Sequence, residues 1–161
     1  MGAQGLIGPY FFEDEHGKAE TVNSEHYLVV LKKFKAALRR RRLQLQDQWF
    51  MQDGTTAHTA RNSRQWLAES FGDRVISLKT DFPWSPHSPD LNPCDFFLWG
   101  YLKDRVYSES PATVLELKNS IIHHVDQLRN NVELQRHVIG EFQKRIRVCL
   151  NRQGRHIEHL L

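Results

Sequence analysis

Two short apolar runs separated by the length of one helix constrain this chain most. Gln48-Trp-Phe-Met-Gln-Asp53 reads as a brief strand ending in a carboxylate. Gly54 and two threonines then turn the chain, a helix is predicted over 57–71, and Gly72 stops it. Arg74-Val-Ile-Ser-Leu-Lys79 alternates as a second strand. The order strand, helix, strand predicts parallel pairing. Asp53 then falls at the carboxyl end of a strand, where open α/β sheets gather their ligand-binding groups.

Four of the six prolines, Pro83, Pro86, Pro89 and Pro93, lie within eleven residues. They predict a stiff extended connection, neither helix nor central strand, ending at Asp95. Helices are predicted beyond it over 95–107, from Ser110-Pro111 onward with Leu115, Ile122, Val125 and Leu128 as apolar positions, and over 132–150. At the other end Gly5-Leu-Ile-Gly-Pro-Tyr-Phe-Phe12 reads as a strand at a sheet edge because of Pro9, with a charged, hairpin-like turn over 13–18 leading into 19–22. From Asn23, a helix N-cap, Tyr27, Leu31, Phe34 and Leu38 recur at helical spacing and are expected to face a core. Beside them Lys32, Lys35, Arg39 and Arg42 recur in the same way, a positive stripe flanking the buried one. Such a stripe fits DNA phosphates or a solvated helix face equally well.

The chain has 161 residues, 40% hydrophobic and 25% charged, which argues for one packed domain and against disorder. Its net charge of +3 permits a nucleic acid partner without demanding one. No apolar run approaches the roughly 18 residues of a membrane span, and the first twelve residues lack the pattern of a secretory leader, so a soluble intracellular protein is expected. Cys94 and Cys149 lie far apart and read as reduced thiols. The predicted organisation is an α/β unit over 1–150 with a helical C-terminal third, followed by a tail over 151–161.

Asp53 and Asp95 are the residues with chemical potential. Two carboxylates brought together hold a divalent cation through oxygen, and a two-metal site activates an attacking oxygen while stabilising a leaving one. Spacing alone favours a plainer role for both, as caps of the helices that follow them.

Two strings change that balance. Gln52-Asp-Gly-Thr-Thr-Ala-His-Thr-Ala60 and Trp84-Ser-Pro-His-Ser-Pro-Asp-Leu-Asn-Pro-Cys-Asp-Phe-Phe-Leu-Trp-Gly100 resemble the transposases of the mariner superfamily, and the similarity runs from Gly5 to about Leu150. The resemblance implies a ribonuclease-H-like catalytic domain whose three acidic residues bind two magnesium or manganese ions, cut DNA at transposon ends and join the freed end to a target. It makes Asp53 the second acidic residue and Asp95 the third, both catalytic and both metal ligands. Aspartate at the third place resembles the mariner branch. It also gives His58 a part in positioning DNA or the metal site, where the residues alone show a polar group in a helix's first turn. The departure is the first motif, whose aspartate the family carries on a strand before Gly5-Leu-Ile-Gly-Pro9. Only Met1 to Gln4 precede that segment here, and Asp14 and Asp47 read as loop charges. The fold is therefore expected to be incomplete, with N-terminal strands missing and an unpaired edge on the strand that ends at Asp53. The family's helix-turn-helix region has no counterpart either, so recognition of specific transposon ends is not expected.

The remaining signals are weaker. His123 and His124 point roughly 100° apart on a helix and read as ordinary residues. Phe96, Phe97 and Trp99 are expected in a core, although they and Trp84 have faces on which bases could stack. The reading is a metal-dependent transposase catalytic-domain fragment acting in the nucleus on transposon ends and target DNA, with a homodimer allowed and no membrane partner. The alternative is a non-catalytic transposon-derived remnant that binds DNA or a partner through its basic helix.

Overall fold

The computed structural model describes residues 1–85, 88–155 and 157. The chain forms two compact units, Tyr10–Pro86 and Met1–Pro9 with His87–Leu161.

In the first of these, helix α1 spans Ser24–Arg40, and the Asn23 side chain caps it by accepting the N–H groups of Glu25 and His26. Tyr27, Leu31 and Leu38 are buried, and half-buried Phe34 meets Phe50 edge-on with ring centroids 5.7 Å apart. The positive stripe is shorter than its spacing predicts. After α1 the Leu43 N–H reaches back to Leu38 O and the Arg42 N–H to Arg39 O, with Arg42 left-handed at φ 59°. This is a Schellman closure, and it turns Arg42 off the helix face. Lys35 is drawn in, its Nζ 3.3 Å from Ser70 Oγ and 5.4 Å from the Trp66 ring centroid. Lys32 and Arg39 remain exposed on α1.

Strand β1, Phe50–Met51, pairs in parallel with β2, Val75–Ser77, Phe50 opposite Val75 and Met51 opposite Ile76. The strand, helix, strand order predicted this pairing. A third parallel strand, β3 at Phe82–Pro83, lies inside the proline-rich connection and gives the order β1-β2-β3. Pro83 is tolerated there because β3 is an edge strand and needs no N–H on its outer side. The helix expected over 57–71 is divided into α2, Thr56–Thr59, and α3, Arg61–Phe71, by an extended Ala60 with ψ 148°. Side chains take the carbonyls that a continuous helix would use: Ser63 Oγ donates to Ala57 O at 2.7 Å and Gln52 Nε2 to His58 O at 3.0 Å. Gly72, at φ 59°, ends α3 as predicted.

The strand expected over 5–12 does not form. Gly5 and Gly8 have φ of 100° and 109°, which bend the chain out of the extended conformation, and isolated bridges Gly2–Gly5 and Glu13–Ala19 stand in its place. The turn over 13–18 does form, with Asp14 Oδ1 accepting the N–H groups of His16 and Lys18.

The second unit is built around Leu6, Leu98, Leu102, Val125 and Leu128. After a 3-10 turn at Pro89–Leu91, a π-helical turn at Cys94–Leu98 continues as α4, Trp99–Ser108. Leu98, Leu102 and Val106, four apart, are buried, while Trp99 is 51% exposed and is not the core residue it was expected to be. The wider π turn shifts the buried register onto Leu98. Helix α5, Val114–Asn130, starts after a left-handed Ser110; Thr113 Oγ1 accepts the Glu116 N–H, and Glu116 Oε2 accepts the Ala112 N–H. Its buried residues are Ser120, His124, Val125 and Leu128, whereas Leu115 and Ile122 face outward. Glu109 sets this rotation: its carboxylate accepts the Ser120 hydroxyl, and its Oε1 lies 2.8 Å from His124 Nε2. Helix α6 spans Val132–Asn151. Beyond it Ile157 is fully buried, and its N–H is bound by the carboxylate of buried Asp90, part of the second motif string. The N-terminal segment is held through Leu6 in the core and through Gly8 O, which accepts from Arg129.

Candidate active site

Asp53 stands two residues beyond β1, so parallel pairing with β2 sets it at the carboxyl end of the sheet. Its Oδ1 accepts the Thr55 N–H at 3.1 Å and lies 2.5 Å from His58 Nδ1. Partial burial works to raise the Asp53 pKa, but the Thr55 N–H, the His58 charge and the side-chain hydrogen bonds outweigh it and leave the carboxyl below its ordinary value. Asp53 is thus a carboxylate whose Oδ1 is fixed by Thr55 and His58.

The His58 ring packs on Tyr27 from α1, with centroids 4.3 Å apart. Beneath this pair Gln52 is buried and fully bonded: Oε1 accepts the Tyr27 hydroxyl at 2.7 Å, and Nε2 donates to Ser77 Oγ at 2.9 Å and to His58 O at 3.0 Å. Burial first, and the Asp53 charge second, raise the Tyr27 pKa, so its hydroxyl stays a donor at neutral pH. Three elements, α1, β1 and β2, therefore hold the short loop that carries Asp53 and His58.

Sequence reasoning singled out Asp53 and His58, and the structure brings them together. It took Tyr27 as core alone and passed over Gln52 and Ser77. The available signal was Gln52 itself, a polar side chain within an apolar strand, which is buried only with its hydrogen bonds satisfied. Asp95 belongs to the other unit. It is an exposed residue in the π turn, with its N–H donating to Asn92 O at 2.9 Å. Neighbouring Phe96 lies under the Arg145 guanidinium at 4.1 Å, and Cys94 is a free thiol. Among the described residues no group of three or more His, Cys, Asp or Glu side chains is gathered as a metal site, and no helix is long and apolar enough to cross a membrane.

No protein-family model and no curated protein matches the chain. Solved structures do. The Mos1 transposase catalytic domain with raltegravir and magnesium matches with a TM-score of 0.65 and 25% identity, over 86% of this chain and 67% of that one. The same domain with raltegravir and manganese matches with a TM-score of 0.68 and 26% identity, over 88% and 68%. The fold is accordingly mixed α/β and ribonuclease-H-like, with a small parallel three-stranded sheet. Fold and motif strings agree: what this chain is built like is the catalytic domain of a mariner transposase.

Proposed function

We propose that the chain serves metal-dependent phosphodiester cleavage and strand transfer in DNA transposition, with Asp53 and Asp95 as carboxylate ligands for magnesium or manganese. The observation that carries this reading is Asp53 at the carboxyl end of the parallel sheet, held ionised with its Oδ1 tied to Thr55 and His58. Carboxylate oxygens suit hard divalent cations, and magnesium is commonly held by one or two carboxylates completed by water and substrate phosphates. The donor chemistry of Asp53 fits that role. A bound divalent ion would supply a lower pKa for its water and charge neutralisation at the leaving oxygen.

The chain's own contribution is orientation. The Thr55 N–H and His58 Nδ1 fix one carboxylate oxygen, and Tyr27 and Gln52 hold His58. Exposed Lys32 and Arg39 on α1 supply sequence-independent attraction for DNA phosphates. A nuclear location accompanies this reading.

The test is manganese titration of the chain followed by paramagnetic broadening of backbone resonances, with a plasmid-nicking assay alongside. Broadening centred on Asp53 that disappears in Asp53→Asn supports the assignment. Broadening that persists unchanged in that variant overturns it. DNA binding without metal binding or nicking would favour the non-catalytic alternative.

A further inference from the structure

We propose that the groove between α3 and β2 seats a backbone phosphate of a DNA strand, on Arg61, Arg64 and Lys79. The cavity has a volume of about 380 Å³, and its lining includes Gln52 and Ser77, the buried pair beneath the Asp53 loop. It is thus continuous with the site described above while being formed by different charged groups.

The distribution of charge decides what it can hold. Arg61, Arg64 and Lys79 line the groove, and so do Asp73 and Asp81. Strand register sets both carboxylates apart from the two arginines, while Asp81 stands only two residues from Lys79. Phe82 pairs with Ile76, so Asp81 is level with Val75 at the amino end of β2, and Asp73 follows the Gly72 cap of α3. Arg61 and Arg64 lie in the first turn of α3, which packs on β2 as the crossover of a parallel pair, so they lie toward the carboxyl ends of the strands. Lys79 follows the last residue of β2 by two positions. Ten residue steps of α3 correspond to about 15 Å. That exceeds the screening length of about 10 Å at 0.1 M salt, so Asp73 does little to cancel Arg61 at the far end of α3.

These cations are available to a ligand. Among the described residues neither Arg61 nor Lys79 has a side-chain partner, and Arg64 spends only its Nε, on Thr59 O at 3.1 Å. Ala60 leaves the N-terminus of α3 without a side-chain cap, which adds the positive end of a helix dipole to the same end of the groove. Two guanidinium groups and an ammonium around one cavity are suited to a phosphate, because the guanidinium fork binds its oxygens two at a time. A strand is the favoured source of that phosphate over a free anion, since the groove meets the Asp53 loop through Gln52. The proposal rests on the DNA reading above.

The test separates the two. A short single-stranded oligonucleotide and, independently, inorganic phosphate are titrated into the chain while the Arg61, Arg64 and Lys79 side-chain resonances are followed, and oligonucleotide affinity is measured against salt. Arg61→Gln and Lys79→Gln probe the groove, and Arg136→Gln, exposed on α6, controls for loss of one charge. Each groove variant is expected to weaken oligonucleotide binding and to reduce the salt slope by about 0.7, one phosphate of a single strand, with the control unchanged. Oligonucleotide binding with the slope unaltered in both groove variants overturns the groove and leaves the DNA reading standing. Phosphate moving the three resonances with no oligonucleotide binding keeps the anion site and refutes a DNA strand as its occupant. Neither ligand moving them overturns the proposal.

Discussion

Removing one oxygen atom from Tyr27 tests whether the buried network under Asp53 behaves as the structure implies. Tyr27→Phe keeps the ring that packs on His58 at 4.3 Å but deletes the hydroxyl that donates to Gln52 Oε1 at 2.7 Å. Gln52 is only 6% exposed, so its carbonyl oxygen cannot turn to water without unmaking the bonds of its amide nitrogen to Ser77 Oγ and His58 O. Leaving one buried acceptor unsatisfied costs about 1–3 kcal/mol, more than the net worth of an ordinary exposed hydrogen bond. At about 2–4 °C per kcal/mol for a chain of this size, the midpoint should fall by roughly 2–12 °C. The assay is thermal and urea denaturation of the wild type, Tyr27→Phe, Gln52→Leu and the double variant. Once Gln52 is replaced there is no acceptor to strand, so Tyr27→Phe should cost little in that background, and the cycle should show a coupling of about 1 kcal/mol or more. A loss under about 0.5 kcal/mol in the single variant, the size of an ordinary surface change, or full additivity in the double, would refute the reasoning.

Two further outcomes follow from local geometry. Arg42 occupies the left-handed position of the Schellman closure after α1, at φ 59°, where a side chain costs about 1–2 kcal/mol relative to glycine. Arg42→Gly should raise stability by about 1 kcal/mol in urea denaturation, and a loss instead would contradict the assigned strain. Glu109 has its pKa lowered, first by the Ser120 hydroxyl and then by His124, so its stabilising contribution is complete above its ordinary 4.5 and is lost as pH falls through the lower folded value. The stability gap between wild type and Glu109→Gln should be present at pH 4.5 and close as pH falls below it; a gap unchanged over that fall would sink the assignment.

What could be read from the sequence was decided within a few residues of itself. The Asn23 cap and the periodicity of Tyr27, Leu31 and Leu38 are set by one helical turn at a time, and α1 follows them. The pairing of β1 with β2 required only the order of elements, because a strand, a helix and a strand close in parallel. The Asp53 and His58 contact was similarly within reach, since five positions separate the two residues on one short loop. The misreadings share the opposite origin. The break at Ala60 depends on Gln52 reaching His58 O from the strand before it, and no propensity in 57–71 records that competition. Aromatic character beside a helix start points Trp99 to a core, but the π turn at Cys94–Leu98 places Leu98 there and leaves Trp99 exposed. The burial of Ser120 and His124 on α5 is met by Glu109, outside that helix, and no spacing within 114–130 records that partner. The residues that support Asp53 are distant in the same way: Tyr27 and Ser77 each stand 25 positions from Gln52. A motif string can therefore mark the carboxylate while saying nothing of what holds it. Arg61 and Lys79 are likewise far apart in sequence, and their common groove exists only once α3 has packed on β2.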